Sequence, residues 1–259
     1  RKLPKPRSAT PGRAVLEQGA AADAAGRNDG ATPRYRSPLN VNKFENLLRQ
    51  HPDQELVAGI LRGLRHGFHL GYEGPRRGPH PPRSHRTKSP KNIDTVRAWL
   101  AKELLLGRVF AVDPDDLPEW YKTFPIFAVP KASAEVDADG TPIAAYRVVN
   151  NLSADDGDGS LNDGIDKPDF SMVYATVADA MYAAVSFHAR FGNSGRITKI
   201  DWSSAFRRLA SHPDDYYLNC FVVDGVTYAD AAICFGCRSS PWAFGQVAAL
   251  CQWIYERRL

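Results

Sequence analysis

The sequence predicts an α+β fold in which packed helices cover an antiparallel sheet. Three observations carry this expectation. Asp224-Gly225 joins two apolar runs, Tyr216 to Val223 and Val226 to Ala229, and Asp-Gly between such runs is the strongest short hairpin signal. Two more runs, Phe124 to Pro130 and Tyr146 to Leu152, read as strands joined by the polar loop Ala132 to Thr141. Apolar residues also recur at helical spacing in several segments, as in Leu56, Val57, Ile60, Leu61 and Leu64.

Composition sets the outer bounds. With 259 residues and 43% apolar content the chain can bury a sizeable core. No stretch approaches the roughly 18 uninterrupted apolar residues of a membrane helix, so a soluble chain with no membrane partner is expected. The net charge of +4 is unevenly spread: residues 1 to 90 hold 17 Lys and Arg against 7 Asp and Glu, which suits an acidic polymer as partner. Four cysteines, Cys220, Cys234, Cys237 and Cys251, are too few for a disulfide scaffold and point to a reducing, intracellular compartment. Cys234 and Cys237 form a C-x-x-C pair, but the other two lack paired spacing, so a zinc module is not expected. The chain opens on Arg1 rather than Met, which reads as a fragment or processed product.

Taken in order, residues 1–36 are poor in large apolar side chains and are expected to be a disordered basic tail. Residues 37–73 form a helical pair. Asn42 with Glu45 suggests a capping box for a short helix through Phe44, Leu47 and Leu48 that Pro52 ends, and the second helix stops at Gly67 and Gly71. His51, His66 and His69 are expected at the surface or half-buried, not as ligands. Residues 74–91 carry six Lys or Arg, five prolines and no acid, an extended basic connector suited to a phosphate backbone. Without aromatic side chains it has nothing on which bases would stack.

Residues 92–195 begin with Ile93, Val96, Leu100 and Leu104 on one helix face, with Trp99 alongside and Gly107 as terminator. Asp113 to Pro118 is turn material. The two strands that follow place Lys131 and Arg147 near one another across a hairpin, where both would point at one anion. Asp155 to Gly164 is not a calcium loop, since Leu161 stands where an EF-hand needs Gly and no Glu closes it. Val177, Met181, Ala184 and Val185 give Tyr174 to Phe187 helical spacing, and residues 192–195 turn into the next element.

Residues 196–259 open on RITKIDWSSAFRR, in which a short apolar run with Ile197 and Ile200 ends on Asp201. A strand delivering an acid at its end can present a ligand to a metal or substrate, and the same acid can also serve as a helix N-cap. Asp214-Asp215 belongs to the turn before the Asp-Gly hairpin. After that hairpin, Ile233 to Pro241 forms a glycine turn into a helix with Ser240 at the N-cap and Pro241 at N1.

From about Ser37 onward the blocks SPLNVNKFENLL, HGFHLGYEGP, FPIFAVPK, YRVVNNLS, SLNDGI, IDWSSAFRRLASHPDD and CFGCRSSPWAF resemble, in order, the reverse transcriptases of retrotransposons, closest to the DIRS-type elements that use a tyrosine recombinase. The resemblance implies a right-hand polymerase with fingers over residues 92–195 and a partial palm over residues 196–259. It implies that Asp201 is the palm carboxylate binding two Mg2+ ions, which activate the primer 3′-hydroxyl and stabilise the leaving pyrophosphate. Phe206 falls on the steric gate beneath the sugar. Ser204 and Ala205 would offer backbone N–H groups to the triphosphate, Lys131 and Arg147 would hold the same group, and Phe235 and Gly236 would line the loop beneath nucleotide and template base. The implied partners are an RNA template, a DNA primer and a dNTP.

The chain departs from that family at Cys234-Phe235-Gly236-Cys237, where Pro-Phe-Gly-Leu is usual, and at Asn151, where Asp is usual. It reaches Leu259 before the family's paired catalytic aspartates. The expectation is therefore a fragment of an RNA-directed DNA polymerase, a nucleotidyltransferase, that does not polymerise alone. The alternative is a catalytically incomplete reverse-transcriptase-like protein acting as an RNA-binding or structural ribonucleoprotein subunit.

Overall fold

A computed structural model describes residues 33–76, 90–130, 135–136, 142–143, 146–155, 157–192, 195 and 201–258. Most of the expected tail, residues 77–89 of the connector, Lys131 and the expected strand Arg196 to Ile200 lie outside the described residues, and Pro90 and Lys91, expected to close the connector, open a helix instead.

Helix α1 (Val41–Leu48) starts from Asn40, whose side chain accepts the Lys43 N–H at 3.0 Å. The cap thus lies two residues before the expected Asn42, and Glu45 instead pairs with Arg65 at 2.6 Å. Helix α2 (Gln54–His66) is capped by Asp53 and closes at Gly67, whose N–H donates to the Gly63 carbonyl and whose φ is +94°. Val57, Ile60, Leu61 and Leu64 are buried, as their spacing predicts.

Helix α3 (Pro90–Leu105) buries Val96 and Leu100, but Leu104 is 39% exposed while its neighbour Glu103 is 5% exposed. The inward face rotates by one residue there because a buried arginine claims the Glu103 carboxylate. Strand β1 (Val109–Ala111) follows, then a single 3-10 turn, Pro114–Asp116, capped by Asp113. Strands β2 (Ile126–Pro130) and β5 (Tyr146–Asn150) pair antiparallel from Ile126↔Asn150 to Pro130↔Tyr146. The polar loop expected between them carries a short ladder of its own, β3 (Glu135–Val136) with β4 (Pro142–Ile143).

Helix α4 (Val177–Phe191) begins after Thr176, which forms a capping box with Asp179. It starts and ends later than the expected Tyr174 to Phe187, and none of its residues is buried.

The expected hairpin is strands β6 (Cys220–Val223) and β7 (Val226–Asp230), with φ of +51° at Asp224 and +80° at Gly225. Positive φ at both central residues is what an Asp-Gly turn between twisted strands demands. The first strand does not begin at Tyr216. Pro213–Leu218 forms 3-10 turns instead, started by Pro213 and by the His212 side chain accepting the Asp214 N–H. Strand β1 pairs with the free edge of β7, giving the antiparallel order β1-β7-β6.

Helix α5 (Ser240–Arg258) completes the described chain. Ser240 lies inside it, and its hydroxyl donates to the Cys234 carbonyl at 2.8 Å rather than capping the helix. The main core centres on fully buried Phe221 and draws Leu48 and Ile60 from the helical pair, Val96 from α3, Ile126 from β2 and Leu250 from α5. The α1–α2 pair therefore shares one core with the sheet and α5. Among the described residues no helix is long and apolar enough to cross a membrane.

Candidate functional site

Residues 201–208 make a tight turn on the face of this core. Asp201 is exposed at its start, and Ser204 takes φ of +55°, a left-handed conformation that a non-glycine residue adopts only where its surroundings hold it. The hold comes from Arg208, whose Nε donates to the Ser203 carbonyl at 2.7 Å while its backbone N–H donates to Ala205. Phe206–Arg208 then forms one 3-10 turn, with Phe206 half-buried and Arg207 pointing inward.

Arg207 anchors the turn. Its Nη2 and Nε donate to Glu103 at 2.7 and 3.1 Å, and its Nη1 donates to Asp230 on β7. Its guanidinium also lies 5.8 Å from the Trp99 ring. Burial alone would lower the Arg207 pKa, but Asp230 and Glu103 hold the guanidinium above its ordinary range. Burial pushes Asp230 up to about 6, against the pull of Arg207 and with the negative charge of Glu103 adding to the rise.

Phe206 carries the outward side of the turn. Its ring lies 4.8 Å from Phe235 and 5.8 Å from Phe244, and Trp202 stands edge-on to Phe244 at 5.6 Å. Phe235 remains 50% exposed, so the aromatic group opens to solvent.

The glycine turn that supplies Phe235 sits against the end of β5. Gly236 has φ of +99°, and a Cβ there would fall 2.5 Å from the Asn150 carbonyl oxygen. Buried Asn162 clamps the turn, with Nδ2 donating to the Gly236 carbonyl at 2.8 Å and Oδ1 accepting the Arg238 N–H at 2.9 Å. Cys234 and Cys237 are buried free thiols whose pKa values burial raises, which removes the nucleophilic thiolate from the turn.

Of the residues expected at the site, Phe206 and Phe235 meet directly, Gly236 follows Phe235 in the glycine turn, and Asp201, Ser204 and Ala205 share the turn that delivers Phe206. Arg147 is exposed on β5, opposite Val129, on the strand whose last residue touches Gly236. Lys131 is outside the described residues. The sequence reading missed Trp202, Phe244, Arg208 and Asn162. All four lie in blocks that carry the family resemblance, Trp202 and Arg208 in IDWSSAFRRLASHPDD, Phe244 in CFGCRSSPWAF and Asn162 in SLNDGI, but nothing local to them signals these contacts.

Among the described residues no three His, Cys, Asp or Glu side chains gather as a metal site. Asp201 offers one exposed carboxylate. Magnesium takes one or two carboxylates together with water and substrate phosphates, so Asp201 fits as one ligand of such an ion and no more.

A second buried carboxylate, Asp215, lies apart from this group. It accepts the Leu70 N–H at 2.8 Å, sits 3.2 Å from His69 Nδ1 and 3.5 Å from Arg76, and His69 stacks on His212 at 3.8 Å. Burial would raise the Asp215 pKa, but the hydrogen bond and charge of His69, with the Leu70 N–H and Arg76, hold it below the usual carboxylate range. The expected Asp214-Asp215 turn is thus a turn with one structural acid.

No family model and no curated protein matches the sequence. Among solved structures, the chain is similar to the native crystal structure of the prototype foamy virus protease-reverse transcriptase, at 16% identity and a TM-score of 0.42, covering 83% of this chain and 27% of that one. It is also similar to the foamy viral protease-reverse transcriptase dRH in complex with double-stranded DNA, at 13% identity and a TM-score of 0.43, covering 83% of this chain and 36% of that one. The chain therefore spans 27% to 36% of the length of these two proteins.

Proposed function

We propose that this chain is the fingers and partial palm of an RNA-directed DNA polymerase from a DIRS-type retroelement. The observation that carries the reading is the contact between Phe206 and Phe235 on the turn that Asp201 opens, with Gly236 seated on the end of β5. Segments far apart in sequence meet there at one open aromatic surface, beside an acid and along a strand bearing an exposed arginine.

In this reading the Phe206 ring lies under the deoxyribose and leaves no room for a 2′-hydroxyl. Phe235 and Gly236 support the base pair being formed. Ser204 and Ala205 direct backbone N–H groups at the triphosphate, and Lys131 and Arg147 add charge-assisted hydrogen bonds to it, each worth about 1.5 to 3 kcal/mol. Magnesium would be held by Asp201 together with the nucleotide phosphates, whose charge it would neutralise. One carboxylate does not hold two ions, so this chain binds nucleotide and template without extending a primer.

The reading is tested by calorimetric titration of dNTP and rNTP with magnesium into the wild type, Asp201→Asn and Phe206→Ala, beside primer extension on an RNA template. Magnesium-dependent dNTP binding that Asp201→Asn weakens, a dNTP preference that Phe206→Ala narrows and an absence of extension are expected. That no three His, Cys, Asp or Glu side chains gather around Asp201 among the described residues favours one rival, a non-catalytic RNA-binding or structural subunit of a ribonucleoprotein. That rival takes over if no nucleotide binds while salt-dependent RNA affinity persists.

A further inference from the structure

The α1–α2 pair bears a groove that the nucleotide reading does not use. Arg62, Arg65 and His66 of α2 line one wall, and Arg49, just past α1, lines the other with Glu45. Positions 62, 65 and 66 stand at i, i+3 and i+4, so they share one face of the helix. We infer that this groove holds the sugar-phosphate backbone of a nucleic-acid strand, at a place separate from the Phe206 site and independent of whether that site binds nucleotide.

Three features select that ligand. The walls carry three arginines against one carboxylate, and arginine's planar fork suits phosphate oxygens. The Arg65–Glu45 pair bridges the groove at 2.6 Å with both side chains about two-fifths exposed, a geometry that water and salt screen, so a phosphate displaces the carboxylate at little cost. Arg49 lies past the end of α1 while Arg62 and Arg65 lie on α2, so cations line both sides of the groove, which suits an extended polyanion.

The lining offers bases little to read. Val57 and Leu61 contribute apolar floor, and no Phe, Tyr or Trp lines the groove, which leaves the His66 imidazole as its one ring. The helices are held in register, because Gln54 Nε2 donates to the Leu48 carbonyl at 3.1 Å and to the His51 carbonyl at 2.6 Å, tying the end of α1 to the start of α2. The wider charge agrees: residues 1 to 90 hold 17 Lys and Arg against 7 Asp and Glu, so an approaching polyanion is drawn to this part of the sequence.

The test is fluorescence anisotropy of the full chain with a labelled mixed-sequence RNA across a salt series, comparing Arg49→Gln/Arg62→Gln with Lys43→Gln/Lys102→Gln, an equal charge change at exposed positions off the groove. The groove pair should weaken binding about tenfold and flatten the slope of log affinity on log salt by about 1.4, since each lost single-strand phosphate contact removes about 0.7. The control pair should move neither by half as much. Equal effects from both pairs, or none from the groove pair, overturn the proposal. So does a labelled poly-glutamate that binds as tightly and loses as much in the groove variant. Should Arg62→Gln lower the melting temperature, Arg49→Glu alone gives the same readout from an exposed position. The dNTP titration of the wild type is read independently of this slope, which separates failure here from failure of the nucleotide site.

Discussion

Arg207 donates to Asp230 inside the core, and the other edge of the same guanidinium is taken by Glu103. The turn that presents Phe206 is therefore fastened to both α3 and β7 by one buried cation. Replacing Arg207 with Leu leaves Asp230 in the core without its cation and Glu103 with only Arg108, 3.6 Å away, at a cost of about 3 to 5 kcal/mol. The sign of the pH effect follows from Asp230, already pushed up to about 6. An acid with a raised folded pKa favours folding where it is protonated, so the variant's deficit should be smaller at pH 5 than at pH 7.5. Urea denaturation of wild type and variant at the two pH values measures it, and a deficit independent of pH refutes it.

Asp215 works in the opposite direction. His69, the Leu70 N–H and Arg76 hold its carboxyl below the usual range, so its contribution is fully present above about pH 4 and fades as the pH falls through its folded pKa. Asp215→Asn should cost about 1 to 3 kcal/mol near neutrality and flatten the acid limb of the stability profile. Denaturation midpoints from pH 2.5 to 7 decide the matter, and an acid limb of unchanged steepness counts against it.

Gly236 and Gly225 both take positive φ but differ in what surrounds them. A Cβ at Gly236 would meet the Asn150 carbonyl oxygen at 2.5 Å, whereas one at Gly225 would meet nothing within 4 Å. Gly225→Ala should cost about 1 kcal/mol, and Gly236→Ala clearly more because backbone must move. In a chain of this size each kcal/mol lowers the melting temperature by about 2 to 4 °C, which calorimetry resolves. Equal shifts would show that the approach to β5 does not constrain the turn.

Helix α4 presents Val177, Met181 and Val185 on one side, at 77%, 64% and 66% exposure. Apolar surface of that extent promotes association of the isolated chain. Met181→Lys/Val185→Glu should raise the concentration at which sedimentation velocity detects oligomers while leaving stability within about 0.5 kcal/mol. Unchanged oligomers, or a large loss of stability, would mean the face is already packed.

What the sequence made legible was local. Asp224-Gly225 announced its hairpin because the turn chemistry lies within two residues, and the spacing of Val57, Ile60, Leu61 and Leu64 announced the buried face of α2. The apolar run from Tyr216 to Val223 reads as strand throughout, but Pro213 and His212 impose a turn that delays the start of β6 to Cys220. Pairings across the chain left no local trace: nothing near Glu103, Arg207 or Asp230 distinguishes them from surface charges, and Asp215 looked like turn filler until His69 and Leu70 were beside it. Phe206 and Phe235 drew attention through family resemblance, but their contact depends on how the two turns dock. Asn162 belonged to a block that was noticed, yet its clamp on Gly236 exists only in three dimensions.

The joining of β1 to β7, and of α1 and α2 to a core that includes Leu250 of α5, also bears on how the molecule comes into being. A ribosome releases the two leading helices long before the residues that cover them. His51 meets its partner ring only when Trp253 emerges, and Val109 finds Asp230 only after more than a hundred further residues. Contacts so distant along the chain close slowly, and the early helices spend that interval with their apolar faces open to chaperones and proteases. The order of synthesis, rather than the finished contacts, then sets how much protein survives to fold.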